Sequence, residues 1–156
     1  MTSRKAALSP APLEAHLGFW LRFVSNHVSI RFQQLLEEKG VTATEWVALR
    51  TLWGRTETSH IELIQALGMT KGAASKVVSR LEEKGLAQRH LTEGRSREQS
   101  LVLTASGKAL VPQLARLADA NDEHFFSHLR ADERRILMDS MQALVSHHQL
   151  KEIPTA

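Results

Sequence analysis

Five side chains between residues 71 and 80 are the first in this chain whose types and spacing define a chemistry: Lys71, Ser75, Lys76, Ser79 and Arg80. Lysine and arginine neutralise phosphates, and small hydroxyl side chains reach polar edges without holding the backbone away from a partner. Ala74, Val77, Val78 and Leu81 recur at helical spacing, so they form a buried stripe and leave the five polar residues on the outward face. Thr70 precedes them as a helix cap whose hydroxyl lies at the same end. Further along, Arg89 and then Arg95 and Arg97, within TEGRSRE, add cations. The chemistry on offer is contact with phosphates and base edges, with no covalent bond made or broken.

Such a helix needs neighbours to hold it. Ser59 and Glu62 have capping-box spacing and open a shorter helix, in which Ile61, Ile64 and Leu67, with Leu63 alongside, predict an apolar face. Gly68 ends that helix and Gly85 ends the next. The runs LAQRHL (86–91) and QSLVL (99–103) read as strands, and the polar, glycine-containing segment between them makes a hairpin. Helix, turn, helix, strand, loop and strand is the order of a winged helix-turn-helix, which sets its second helix in the major groove of DNA. Arg95 and Arg97 then stand at the wing tip, toward the minor groove or the phosphates. Arginines on an exposed hairpin also serve solubility, but here a recognition-type helix lies immediately upstream. Charge follows the same element: residues 69–97 carry seven basic and three acidic side chains in a chain of net charge +3.

The flanks read as long helices. From about Leu13 to Glu38, apolar residues keep helical spacing with no breaker except Gly18. Thr42 and Glu45 open a helix through Trp46, Leu49 and Leu52 that ends near Gly54. After the hairpin, Thr104 caps a helix carrying Leu110, Leu114, Leu117 and Phe125, bent at Pro112, and a last helix runs from roughly Asp132 to Leu150. The expected fold class is mainly α with a small β-hairpin wing. One domain spans 1–156, with a winged-helix lobe at 42–103 and long helices at 11–39 and 104–150. The flanking helices carry more apolar surface than the lobe can cover, which a self-contained bundle or a second copy would satisfy.

The segment QALGMTKGAASKVVSRLEEKGL, followed by Arg89, Arg97 and LTASG, resembles the MarR family of bacterial transcription regulators. The run from the wing arginine to LTxxG is among that family's more specific signatures and here is Arg97 to Gly107; the resemblance extends through the long helices. It departs at Arg95, where the family has an aspartate two residues before the wing arginine, with Glu93 and Glu98 as acidic substitutes nearby. The resemblance implies a homodimer held by the first and last two helices, two recognition helices on a pseudo-palindromic double-stranded site, and repression as the usual outcome. Half-sites would then lie roughly 34 Å, or ~10 base pairs, apart. In this reading Thr70, Ser75, Lys76 and Ser79 read base edges, Lys71, Arg80 and Arg89 hold phosphates, and Arg95 and Arg97 engage the flanking groove.

The family also binds effectors in a cleft beside the dimerisation helices. That makes Trp20, Phe23, His27, Trp46 and Arg50 candidates for a pocket accepting a small aromatic acid, with Arg50 or His27 at its carboxylate. Aromatics at helical spacing serve core packing equally well. His124 and His128, four apart, raise a metal-responsive alternative, but only Asp122 and Glu123 are close in sequence and there is no cysteine, so no metal or cofactor is expected. A winged helix used only for protein contact is the other alternative; Lys71, Lys76, Arg80, Arg95 and Arg97 argue against it.

Enzymatic chemistry finds no support in the sequence. It has no glycine-rich phosphate loop, no serine nucleophile elbow and no HExxH, and the HxE at His60–Glu62 lacks the cysteines of a zinc deaminase. Glu37–Glu38 and Glu82–Glu83 are adjacent pairs that point in different directions on a helix. With no cysteine, no signal-peptide pattern and no apolar run near the ~20 residues of a membrane span, the cytoplasm is the expected location.

Overall fold

The computed structural model describes residues 9–91 and 99–151. Its first long helix is shorter than the apolar spacing predicts. A single 3-10 turn, Leu13–Ala15, follows Pro12, and His16 is extended, so α1 begins only at Leu17 and runs to Glu37. The Trp20 indole nitrogen donates to the Glu14 carbonyl at 2.9 Å and ties the turn back onto the helix. At 1.5 Å per residue α1 is about 32 Å long.

Local capping chemistry sets the next boundaries. Helix α2 (Ala43–Leu52) starts on the predicted box: the Glu45 amide donates to Thr42 Oγ1 at 3.2 Å and the Thr42 amide to Glu45 Oε2 at 3.0 Å. Helix α3 (His60–Leu67) starts on the reciprocal pair Ser59–Glu62 and ends at Gly68, whose φ of 61° lies in the left-handed region glycine tolerates. Helix α4 (Lys71–Glu83) is capped by Thr70, and α5 (Ala105–Phe126) by Thr104. Helix α5 continues through Pro112, and α6 spans Ala131–His147.

The hairpin strands are β2 (Ala87–Leu91) and β3 (Gln99–Leu103), antiparallel from Ala87 opposite Leu103 to Leu91 opposite Gln99. A two-residue strand, β1 (Thr58–Ser59), pairs with the other edge of β3 and completes a sheet of order β1-β3-β2. The sequence reading has no such strand, because two residues carry no alternation. Among the described residues no helix is long and apolar enough to cross a membrane.

The core lies between α2, α3, α4, the sheet and the first half of α5. It is filled by Leu49, Leu52, Leu63, Leu67, Leu81, Leu101, Val111 and Leu114, among others. Ala74, Val77, Val78 and Leu81 form the buried stripe of α4, as their spacing predicts. On α3 the stripe is Leu63 and Leu67, with Ile64 half-buried against the same core; Ile61, expected on the apolar face, is 61% exposed. Gly107 closes the junction of wing and α5: a Cβ there would stand 2.1 Å from the Leu86 carbonyl oxygen. Thr104 ties the same junction by donating its hydroxyl to the Gly85 carbonyl at 2.6 Å.

Candidate nucleic-acid interface

The outward face of α4 is assembled by what lies behind it. The core stripe fixes the helix's rotation, and that rotation leaves Lys71, Lys76 and Arg80 exposed and Ser75 and Ser79 half-buried at the edges. An open groove of about 460 Å³ runs along this face, lined by Gly72, Ser75, Lys76, Ser79, Arg80 and Glu83. Thr70 Oγ1 accepts from the Ala73 amide at 3.2 Å, so that hydroxyl caps the helix and retains its own hydrogen.

The basic residues divide into two sets. Lys71, Lys76 and Arg80 have no carboxylate partner among the described residues. Lys84 does: its ammonium donates at 2.7 Å to both the Gly40 carbonyl and Glu45 Oε2, and Glu45 is 1% exposed. Arg89 is also engaged. It pairs with Glu82, and its second guanidinium nitrogen donates at 3.2 Å to the Ser75 carbonyl, Ser75 Oγ and Ser79 Oγ. The sequence reading treats Arg89 as a phosphate contact; the structure places it between β2 and α4, gripping the recognition helix from the side. Arg89 and Glu82 are seven apart across a helix end and a strand, a spacing with no periodic signature, so only the tertiary arrangement reveals the pair. Arg95 and Arg97 lie outside the described residues.

Beside the serines a second cavity, about 490 Å³, is lined by Ser59, His60, Ile61, Ile64, Lys71, Ser75 and Gln99. His60 Nδ1 is buried there without a hydrogen-bond partner. Burial pushes the His60 imidazole below its ordinary pKa, and the neighbouring Arg89 and Lys71 cations push it the same way.

The five aromatic and basic residues drawn together by resemblance do not form one cluster in the single chain. Trp20, Phe23 and His27 stack along α1, with ring centroids 6.3 and 4.9 Å apart, and the first two are about half exposed. Trp46 instead meets Phe32 edge-on at 6.4 Å and packs on the core, while Arg50 is exposed. His128 lies beyond the end of α5, so it does not share a helical face with His124. Among the described residues no group of three or more His, Asp or Glu side chains is placed to hold a metal ion.

The paired and free cations, the hairpin and the long flanking helices define a winged-helix protein of the nucleic-acid-binding architecture. Residues 41–91, about a third of the chain, match the MarR family profile. The chain is similar to the transcriptional repressor Rv2887 of Mycobacterium tuberculosis, with 28% identity over 133 residues covering 85% of this chain and 96% of that one. Its fold is similar to that of Bordetella bronchiseptica BpsR, a protein whose DNA binding is regulated by 6-hydroxynicotinic acid. The TM-score is 0.75 and the identity 22%, over 87% of this chain and 97% of that one. It is likewise similar to Staphylococcus aureus MepR in complex with DNA, with a TM-score of 0.76 and 22% identity over 85% and 98% of the two chains.

Proposed function

We infer that this protein is a sequence-specific, double-stranded-DNA-binding transcription regulator that acts as a homodimeric repressor in the cytoplasm and performs no catalysis. The observation that carries the reading is the division of its cations. Lys71, Lys76 and Arg80 stand exposed on α4 with no carboxylate partner among the described residues, while Lys84 and Arg89 are engaged within the protein. Exposed cations along a protruding helix match a row of phosphates, whose neutralisation releases counterions and supplies most of the affinity.

The division of the chain supports the dimer. The lobe at 42–103 shares one closed core with Leu36 at the end of α1 and Val111 and Leu114 of α5, whereas α6 buries no residue and the first half of α1 exposes Leu17, Trp20, Leu21, Phe23 and Val24. A second copy covering the helices at 11–39 and 104–150 would hide this surface and set two α4 helices on a pseudo-palindrome. Release follows from a small acid, in keeping with the named regulation of BpsR. Trp20, Phe23 and His27, stacked along α1, supply an apolar face and an imidazole for its carboxylate; Trp46 and Arg50, which stand apart from them in the single chain, would join only in the dimer. An effector acts only through its difference in affinity for the two arrangements of the dimer; a ~100-fold loss of DNA affinity needs about 2.7 kcal/mol of coupling.

The test is fluorescence anisotropy of a labelled duplex from just upstream of the protein's own gene, against a scrambled duplex, over a salt series. Preference for the first duplex is the expected result. Equal, steeply salt-dependent binding to this pair and to a randomised pool would reduce the role to phosphate contact alone.

A further inference from the structure

One guanidinium nitrogen of Arg89 donates to three acceptors on two serines of α4, the Ser75 carbonyl and both hydroxyls. The hydroxyl contacts leave those serines chemically unlike. The Ser79 hydroxyl donates its hydrogen to the Ser75 carbonyl at 3.0 Å and accepts from Arg89 at 3.2 Å. Its proton is therefore committed inside the helix. The Ser75 hydroxyl accepts from Arg89 at 3.2 Å and donates to no group among the described residues. A hydroxyl has one hydrogen and two lone pairs, so a guanidinium hydrogen held on one lone pair turns the proton away from the arginine. Ser75 lies where the groove along α4 meets the cavity beside His60, and it lines both. Glu82 holds the guanidinium in place by an ion pair on its other nitrogen.

We propose that Arg89 is a positioning residue that makes the Ser75 hydroxyl a hydrogen-bond donor toward DNA and takes Ser79 out of base reading. The proposal rests on the DNA-binding reading above and sharpens it into a rule about sequence. A donor in the major groove needs an acceptor. Guanine offers N7 and O6, adenine N7 and thymine O4, whereas cytosine presents only its amino group. The base facing Ser75 is therefore guanine, adenine or thymine, and cytosine is rejected. Ser79, lacking a free proton, braces the helix.

The experiment selects the preferred site of the full-length protein from a randomised duplex pool. It then measures anisotropy, at one salt concentration, on duplexes carrying each base at each position. The wild type should reject cytosine at one position per half-site by roughly 5- to 100-fold, the range of a single base contact. Ser75→Ala should bring that ratio close to one and leave the other positions as they were. Arg89→Met should relax the same position although Ser75 is intact, because the freed hydroxyl can rotate and accept from the cytosine amino group. Ser79→Ala should weaken all duplexes alike. A purely structural role for Arg89 predicts instead an even loss across every sequence, and that outcome overturns the proposal, as does a Ser75→Ala variant that still rejects cytosine. If circular dichroism shows Arg89→Met unfolded, Ser75→Ala and Ser75→Thr decide alone: the threonine keeps the hydroxyl and should keep the rejection. A wild type with no base preference anywhere would defeat the DNA-reading function itself, an outcome distinct from a preference that ignores Ser75.

Discussion

The winged-helix lobe and the last helix treat apolar surface in opposite ways. In the lobe, leucines from α2, α3, α4, the sheet and α5 meet in one closed core, and Leu49, Leu63 and Leu81 are fully buried. Helix α6 has a comparable supply of apolar side chains, and Ile136, Leu137, Met138, Met141, Leu144 and Val145 are all exposed. Only a thin set of contacts ties it down within the chain, including the Arg134–Asp122 ion pair at 3.1 Å between exposed side chains. An exposed pair of that kind contributes little stability. The lesson is that the lobe closes its core with the end of α1 and the first half of α5, while α6 and the start of α1 leave their apolar side chains exposed in the single chain.

The largest expected effect breaks the second region and spares the first. Leu137→Lys combined with Met141→Lys places charges on the exposed face of α6. Sedimentation should show monomers with unchanged helical content, and affinity for a two-half-site duplex should fall by about 10²–10⁴, the loss expected when two linked binding events become one. A dimer that survives both lysines would move the interface elsewhere. The converse change attacks the lobe: Leu81→Ala should cost about 2–5 kcal/mol in denaturant unfolding, since Leu81 is fully buried at the centre of the α4 stripe. An equal substitution at exposed Leu144 should move stability far less, and similar losses at both sites would erase the contrast between the regions.

Smaller effects sharpen the picture inside the lobe. Arg80→Ala should weaken binding on every duplex and lower the salt slope by about 1, as for one lost phosphate contact; Arg97→Ala should do the same from the wing. An unchanged slope would remove either residue from the interface. The smallest effect concerns pH. An unfolded His60 takes up a proton near its ordinary value of 6.5, while the folded residue does so only at lower pH. Between those values the unfolded chain binds more protons, so stability falls as pH drops through that window and levels off below the folded value. His60→Asn should flatten the fall that sets in as pH drops through the ordinary value of 6.5. The same pH dependence in both proteins would assign it to other groups.

Much of the architecture was legible in the residue order, because it depends on interactions within a few positions. Thr42–Glu45 and Ser59–Glu62 announce helix starts by capping chemistry, Gly68 announces a stop, and Ala74, Val77, Val78 and Leu81 state which side of α4 is buried. Where the reading slipped, a non-local or very short feature was responsible. The start of α1 moved to Leu17 because Pro12 and His16 interrupt an unbroken apolar period, and Ile61 turned outward because Leu63 and Leu67 claim the core. Strand β1 is held by its partner in β3 more than by its own two residues.

For the candidate site the division is sharper. Composition and helical spacing alone determined that Lys76 and Arg80, four apart, share an outer face, since Ala74, Val77, Val78 and Leu81 occupy the buried side. Which cations are free was decided only by the tertiary structure. Lys84 meets Glu45, 39 residues away, and Arg89 meets Ser75 and Ser79 across the junction of helix and sheet. Ion pairs and hydrogen bonds act over a few ångströms of space without regard to separation along the chain, so a charge count can place the basic element but cannot separate the cations that reach outward from those that hold the element in position.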